Sequence, residues 1–201
     1  MKIIATTCLC GLAFALCCFA DPASPYGSNL LSDKNNLEIK PDQWTLSQGV
    51  LSKNSLLYFG DRFLIVKEEV VKVPAWYSLR CDLVNIAVQN GSLPHAGLVF
   101  GFVNETNYTA VLFGEELKVI QVKDGKTLTE TSVPVRPRSN RAKAELSVEV
   151  RHWEGIEVYV DGSLVLSQKF ADGIPQGRVG LTLQSGICAF SNATISGIAK
   201  R

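Results

Sequence analysis

From about Leu37 onward, apolar and polar residues alternate in short runs broken by turn residues. That is the period of half-buried strands, and no stretch keeps a helical period. The clearest case is "AELSVEVRHWEGIEVYVDGSLVLSQ". Leu146, Val148 and Val150 share one face, with Ser147, Glu149 and Arg151 on the other. After a turn near Trp153 to Gly155, Ile156, Val158 and Val160 again share a face. Asp161-Gly162 then matches a two-residue hairpin turn, which needs positive φ at its centre. Leu164 and Leu166 continue the pattern.

A second hairpin is expected in "VIQVKDGKTLTETSV", turning at Asp124-Gly125, with a Thr-rich returning strand suited to an exposed edge. Further strands read at Gly49 to Phe59, Phe63 to Val71, Trp76 to Val88, Ala96 to Val103, Tyr108 to Leu112, Arg178 to Leu183 and Ile187 to Ile198. Roughly ten to thirteen strands without crossover helices predict an all-β, two-sheet antiparallel sandwich. There is no internal repeat and no sign of a second domain.

The first twenty residues stand apart. Lys2 is followed by an apolar run from Ile3 to Phe19, then Ala20 and the polar "DPASPYGSN". This is the layout of a secretory signal peptide cleaved after Ala20, and an uncleaved anchor is the rival reading. Residues 21–36, rich in Pro, Ser, Gly and Asn, read as a flexible lead-in, and 37–201 as the sandwich domain. The mature chain is expected to be extracellular, or periplasmic or surface-bound in a bacterium, with no membrane span. A net charge of +1 argues against nucleic acid as a partner, and the basic stretch Arg136 to Lys143 reads as a solvated loop.

Removing the leader takes Cys8, Cys10, Cys17 and Cys18, and leaves Cys81 and Cys188. In an exported chain such a pair invites a disulfide. Closing a loop of more than a hundred residues, it would contribute about 4–5 kcal/mol. Two buried free thiols are the alternative.

"HAGLVFGFVNETNYTAVLF", "LSVEVRHWEGIEVYVDGSLVL" and "GRVGLTLQSGICAFSNATISGI" follow one another in an order that resembles the concanavalin A-like lectin/glucanase superfamily. The likeness is to its laminin-G-like and 3-keto-disaccharide hydrolase-type jelly rolls. It rests on Gly97, Asn107, Tyr108, Asp161, Gly162, Gly177, Gly180, Leu181, Phe190 and Asn192. It implies a jelly-roll sandwich, and this fold hosts lectins, hydrolases, lyases and adhesion modules alike. Gly97 and Gly180 would let a strand bend or the facing sheet approach. Asn107 and Asn192 would fix turns, and Phe190 would pack in the core.

Glycosidases of that superfamily carry paired carboxylates on one strand, and no such string occurs here. Glu149 and Glu157 alternate with apolar residues and read as solvated faces. His95 and His152 have no partner at metal spacing, and no Gly-x-Ser-x-Gly elbow exists. Enzyme activity is therefore left open, leaning against it, with no catalytic residue named. No cofactor is expected; calcium is the ion the resemblance admits, with Asp82, Asn104 and Asp124 as oxygen donors. Sugar binding needs an exposed aromatic platform, for which Trp153, His152, Trp76 and Tyr108 are the candidates. Adjacent strand residues point to opposite faces, so Trp76 and Tyr77 cannot both be core.

The expected function is a secreted, non-enzymatic jelly-roll module whose partner is a glycan or cell-surface polymer. A 3-keto-disaccharide hydrolase-like enzyme and a structural or adhesion module binding protein are the alternatives. N-x-[ST] triplets begin at Asn90, Asn104, Asn107 and Asn192; Asn90 and Asn104, in loops, are the expected acceptors in a glycosylating organism. N-terminal sequencing of the exported chain is expected to begin at Asp21, whereas an intact Met1 would identify a retained anchor.

Overall fold

The computed structural model describes residues 29–38, 45–47, 50–54, 63–84, 94–135 and 143–197. The leader, Asn90 and residues 136–142 lie outside the described residues. After two 3-10 turns, Leu30–Ser32 and Lys34–Asn36, come β1 (Leu37–Glu38), β2 (Thr45–Ser47), β3 (Val50–Asn54), β4 (Phe63–Val66) and β5 (Trp76–Val84). Then follow β6 (His95–Asn104), β7 (Asn107–Phe113), β8 (Glu116–Lys123), β9 (Lys126–Pro134) and β10 (Lys143–Arg151). The described chain closes with β11 (Gly155–Val160), β12 (Ser163–Gln168), β13 (Arg178–Ser185) and β14 (Ile187–Gly197).

These strands form two seven-stranded antiparallel sheets, so the expected jelly-roll sandwich is the fold. The first sheet has the order β1-β4-β13-β6-β7-β8-β9, and the second β12-β11-β10-β5-β14-β3-β2. The strict alternation read for Leu146 to Val150 sets the inner face of β10, opposite Tyr77, Leu79 and Cys81 of β5. They meet Leu98, Phe100, Val111, Leu181 and Leu183 from the first sheet in one core. Each such side chain contributes about 1.5–3 kcal/mol by leaving water. Both Asp-Gly hairpins form as expected, with φ of 51° and 75° at Asp124-Gly125 and 50° and 75° at Asp161-Gly162.

The first sheet departs from simple alternation. β6 and β7 are buried on both faces. Their outward residues Val99, Phe102, Tyr108, Ala110 and Leu112 form a second apolar cluster with Ile65, Ile120 and Val122. The second sheet keeps a polar outer face, which includes Ser78, Arg80, Glu149 and Arg151.

Several expectations change in the structure. The lead-in reading fails from Leu30 on, because Leu30 and Leu31 are core residues, capped by the Asn29 side chain accepting from Leu31 N at 3.1 Å. Cys81 and Cys188 are buried free thiols, not a disulfide. They do sit on neighbouring strands, but Val84 pairs with Ala189, so the two cysteines are offset by four residues. That offset is about 13 Å of strand, against a Cα separation of about 4.4–6.8 Å in a disulfide. Burial pushes the Cys188 thiol up to about 12. It raises Cys81 as well, helped by the charges of Cys188, Asp82 and Glu145.

The glycines also act differently from the expectation. A Cβ on Gly97 would stand 1.9 Å from the Val111 carbonyl oxygen, and one on Gly180 would stand 2.1 Å from that of Leu64. Both collisions are with the adjacent strand of the same sheet, not with the facing sheet. Asn192 does hold a bend: at φ 50°, within a register shift of β14, it donates to Asp82 Oδ2 at 2.6 Å. The buried Asp82 carboxylate also pairs with Lys143 at 2.7 Å, which compensates its charge. Asn107 accepts from Asp124 N at 3.1 Å, locking the β6–β7 turn onto the β8–β9 turn.

Replacing Gly97 by alanine is expected to cost about 1–3 kcal/mol, as overpacking does. Gly197→Ala, with nothing within 4 Å, should stay within about 0.5 kcal/mol of the parent; urea unfolding midpoints compare the two. In a chain starting at Asp21, Cys81 and Cys188 should resist a thiol reagent at pH 8 while folded. Both should react once unfolded, and an unfolded chain with no reactive thiol would contradict the register.

Candidate functional site

The β10–β11 turn organises one end of the second sheet. His152 N donates to Ala75 O at 3.3 Å, and Glu154 N closes the turn onto Arg151 O at 2.9 Å. The His152 ring points inward and is only 4% exposed. Its Nδ1–H donates to the Ile174 carbonyl at 3.0 Å, which fixes the tautomer because a carbonyl only accepts. Ile174 N returns a bond to His152 O at 3.0 Å, and Tyr77 packs edge-on to the imidazole at 6.3 Å. With its neighbour pinned inside, Trp153 projects outward and is 84% exposed.

Strand register then builds a polar cluster beside Trp153. The hairpin pairs Glu149 with Glu157 and Arg151 with Gly155, while β5 places Trp76 across from Arg151 and Ser78 across from Glu149. Gly155 offers no side chain opposite Arg151, and the guanidinium lies between the two carboxylates. Its Nη2 donates to Glu149 Oε2 at 2.6 Å and to Glu157 Oε2 at 3.3 Å. Tyr159 donates its hydroxyl to the same Glu157 oxygen at 2.9 Å. The Arg151 side chain is 12% exposed, so its charge is held largely by protein groups. Burial alone would lower its hold on the proton; the hydrogen bond and charge of Glu157, with the charges of Glu149 and Glu154, reverse that and raise it.

Arg151, Trp153, Glu154, Glu157, Ser167 and Lys169 border a cleft of about 560 Å³. An exposed aromatic ring beside a few oriented acceptors and donors is the chemistry of a small-molecule or sugar site.

The four aromatic and imidazole candidates do not gather. Trp153 edges the cleft, and Trp76 is half-buried on the same sheet face across from Arg151. His152 lies beneath the turn as a structural clamp. Tyr108 is on the other sheet, 9% exposed, edge-on to Phe63 at 4.8 Å within the second apolar cluster, because β7 is covered on both faces. Glu149 and Glu157 were read as solvated faces, and the register brings them together with Arg151 and Tyr159 instead. The available signal was the hairpin centre: Glu149 and Glu157 are equidistant from Trp153 in sequence.

Two of the three oxygen donors considered for calcium have protein partners. Asp82 serves Lys143 and Asn192, and Asn104 Oδ1 accepts from Thr106 N at 2.9 Å and Thr106 Oγ1 at 2.8 Å. Among the described residues no three His, Cys, Asp or Glu side chains converge as metal ligands. No helix among them is long and apolar enough to cross a membrane.

No family model matches the chain, and no curated protein does. Solved structures do. A carbohydrate binding module, CBM66, from Bacillus subtilis superposes with a TM-score of 0.59 at 17% identity, covering 77% of this chain and 91% of that one. The Emp46p carbohydrate recognition domain, in a potassium-bound form, gives 0.60 at 12% identity over 88% and 98% of the two chains. A putative glycosyl hydrolase from Parabacteroides distasonis gives 0.54 at 12% identity over 83% and 91%. At such identities the likeness is one of fold, and it is to jelly rolls of the lectin and glycosyl hydrolase kind.

Proposed function

We propose that this protein is an exported, non-enzymatic jelly-roll module that binds a glycan at the Trp153 cleft. The observation that carries the reading is an indole 84% exposed at the edge of a cleft lined by Arg151 and Glu157, which Glu149 and Tyr159 hold in place from behind by hydrogen bonds. The electron-rich indole face attracts the weakly positive C–H face of a sugar ring. The Glu157 carboxylate accepts sugar hydroxyls, and the Arg151 clamp holds that acceptor in place before the ligand arrives, which lowers the ordering cost of binding. Two of the structural relatives are named as carbohydrate-binding, which supports the reading; export rests on the leader sequence alone.

A second reading, a glycoside-processing hydrolase, draws on the Glu149 and Glu157 carboxylates. Two oxygens bonded to one nitrogen lie within about 6 Å of each other, near the spacing of retaining glycosidases. Against it, the guanidinium occupies the space between the carboxylates and engages both as acceptors. Glycoside cleavage needs one of them as a proton donor.

The test is a panel of neutral, amino and acidic polysaccharides, with and without calcium, read by melting temperature and by retardation in polysaccharide gels. At least one polymer is expected to stabilise the chain. Trp153→Ala, at an exposed position, should keep the parent melting temperature and weaken binding tenfold or more, the scale of a buried-on-binding aromatic anchor. Release of reducing sugar from plain or oxidised disaccharides would favour the hydrolase. A panel without any response, together with a co-purifying protein, would favour an adhesion module.

A further inference from the structure

A second cleft, of about 380 Å³, opens on the other side of the loop that carries Gly173. Val103, Val122, Leu128 and Pro175 form its apolar wall, and Gln121 and Asp172 are among its polar groups. Val103 and Leu128 are 53% and 51% exposed, large apolar side chains left facing solvent at the ends of β6 and β9.

Gly173 joins the two clefts. It lines the second, and it also lies under the Trp153 ring: a methyl group there would come 3.6 Å from Cε3 and 3.8 Å from Cζ3. Gly173, buried and at φ 70°, is thus where the lining of the second cleft meets the ring that borders the first. It is held firmly. Gln121, buried, donates Nε2–H to Gly173 O at 3.0 Å, Gly173 N donates to Phe170 O at 3.1 Å, and the next residue is clamped to His152. A bond from Thr131 Oγ1 to Gln168 Oε1, at 2.9 Å, ties the β9 edge beside the second cleft to the β12 edge beside the first.

We propose that the two clefts form one surface for a chain of sugar units, passing over the exposed Trp153 ring from its cleft to the Leu128 cleft. This rests on the reading of the Trp153 cleft as a glycan site. The occupant follows from continuity and chemistry. Each cleft alone is of small-molecule size, and both combine apolar surface with a few hydrogen-bonding groups. The charges of Asp172 and Lys123 in the second cleft offset one another, which suits an uncharged chain. A ligand repeating C–H faces and hydroxyls along its length fills both clefts, whereas a single sugar fills one.

Calorimetric titration with gluco-, xylo- and fructo-oligosaccharides of one to six units tests this. Affinity in the responsive series is expected to rise at least tenfold between the shortest and longest members. Leu128→Ser and Asp172→Ala, both at exposed positions, should return the longest oligosaccharide to the affinity of the shortest and leave the shortest unchanged. Trp153→Ala should weaken every length. Equal affinity from one unit to six, or equal loss at all lengths in the Leu128 and Asp172 variants, overturns the two-cleft surface and leaves the first cleft standing. Absence of binding at every length in all three series removes the glycan reading and this inference together.

Discussion

A buried imidazole holds one end of this sandwich together. His152 stands where β10 turns into β11, and its ring and backbone bond to Ile174, a residue 22 positions away, and to the start of β5. A buried polar ring costs free energy unless its nitrogen finds a partner, so this contact has one favourable arrangement and resists slippage. Three consequences follow. The turn is fixed, so the β10–β11 register is fixed; Trp153 is forced outward; and the 170–175 loop is drawn against it.

The two outer faces of the sandwich differ in character. On the first sheet, Val99, Tyr108, Ala110 and Leu112 are buried in an apolar cluster. On the second sheet, alternate residues of β5, β10 and β11 are polar and half-buried, so charges there can be compensated by neighbours and still meet solvent. Arg151 illustrates the balance. Its guanidinium is mostly withdrawn from water, which costs free energy, and two carboxylates placed by register offset that cost. The same pairing that makes the cluster tolerable also orients its acceptors.

Much of the fold was legible because it follows local rules. The alternation through Leu146, Val148 and Val150 and the two Asp-Gly turns depend on a side-chain period of two and on positive φ at the turn centres, both local properties of the chain. Trp153 was legible as an exposed ring for the same reason, being next to a turn. The errors share an origin in contacts between distant segments. Tyr108 looked like a platform residue, yet burial of β7 on both faces depends on what the sheet packs against. Cys81 and Cys188 looked like a bond, and they do lie on adjacent strands, but a four-residue offset separates them.

The chain by itself therefore determined the all-β class, the hairpins, the inward stripe and the outward tryptophan, since each is set within a few neighbouring residues. Tertiary structure alone decided that Glu149 and Glu157 share one arginine, that His152 is buried as a clamp, that the thiols stay free, and that Gly173 lies against Trp153. Those outcomes depend on strand register and loop packing, which place residues in contact irrespective of their separation along the chain.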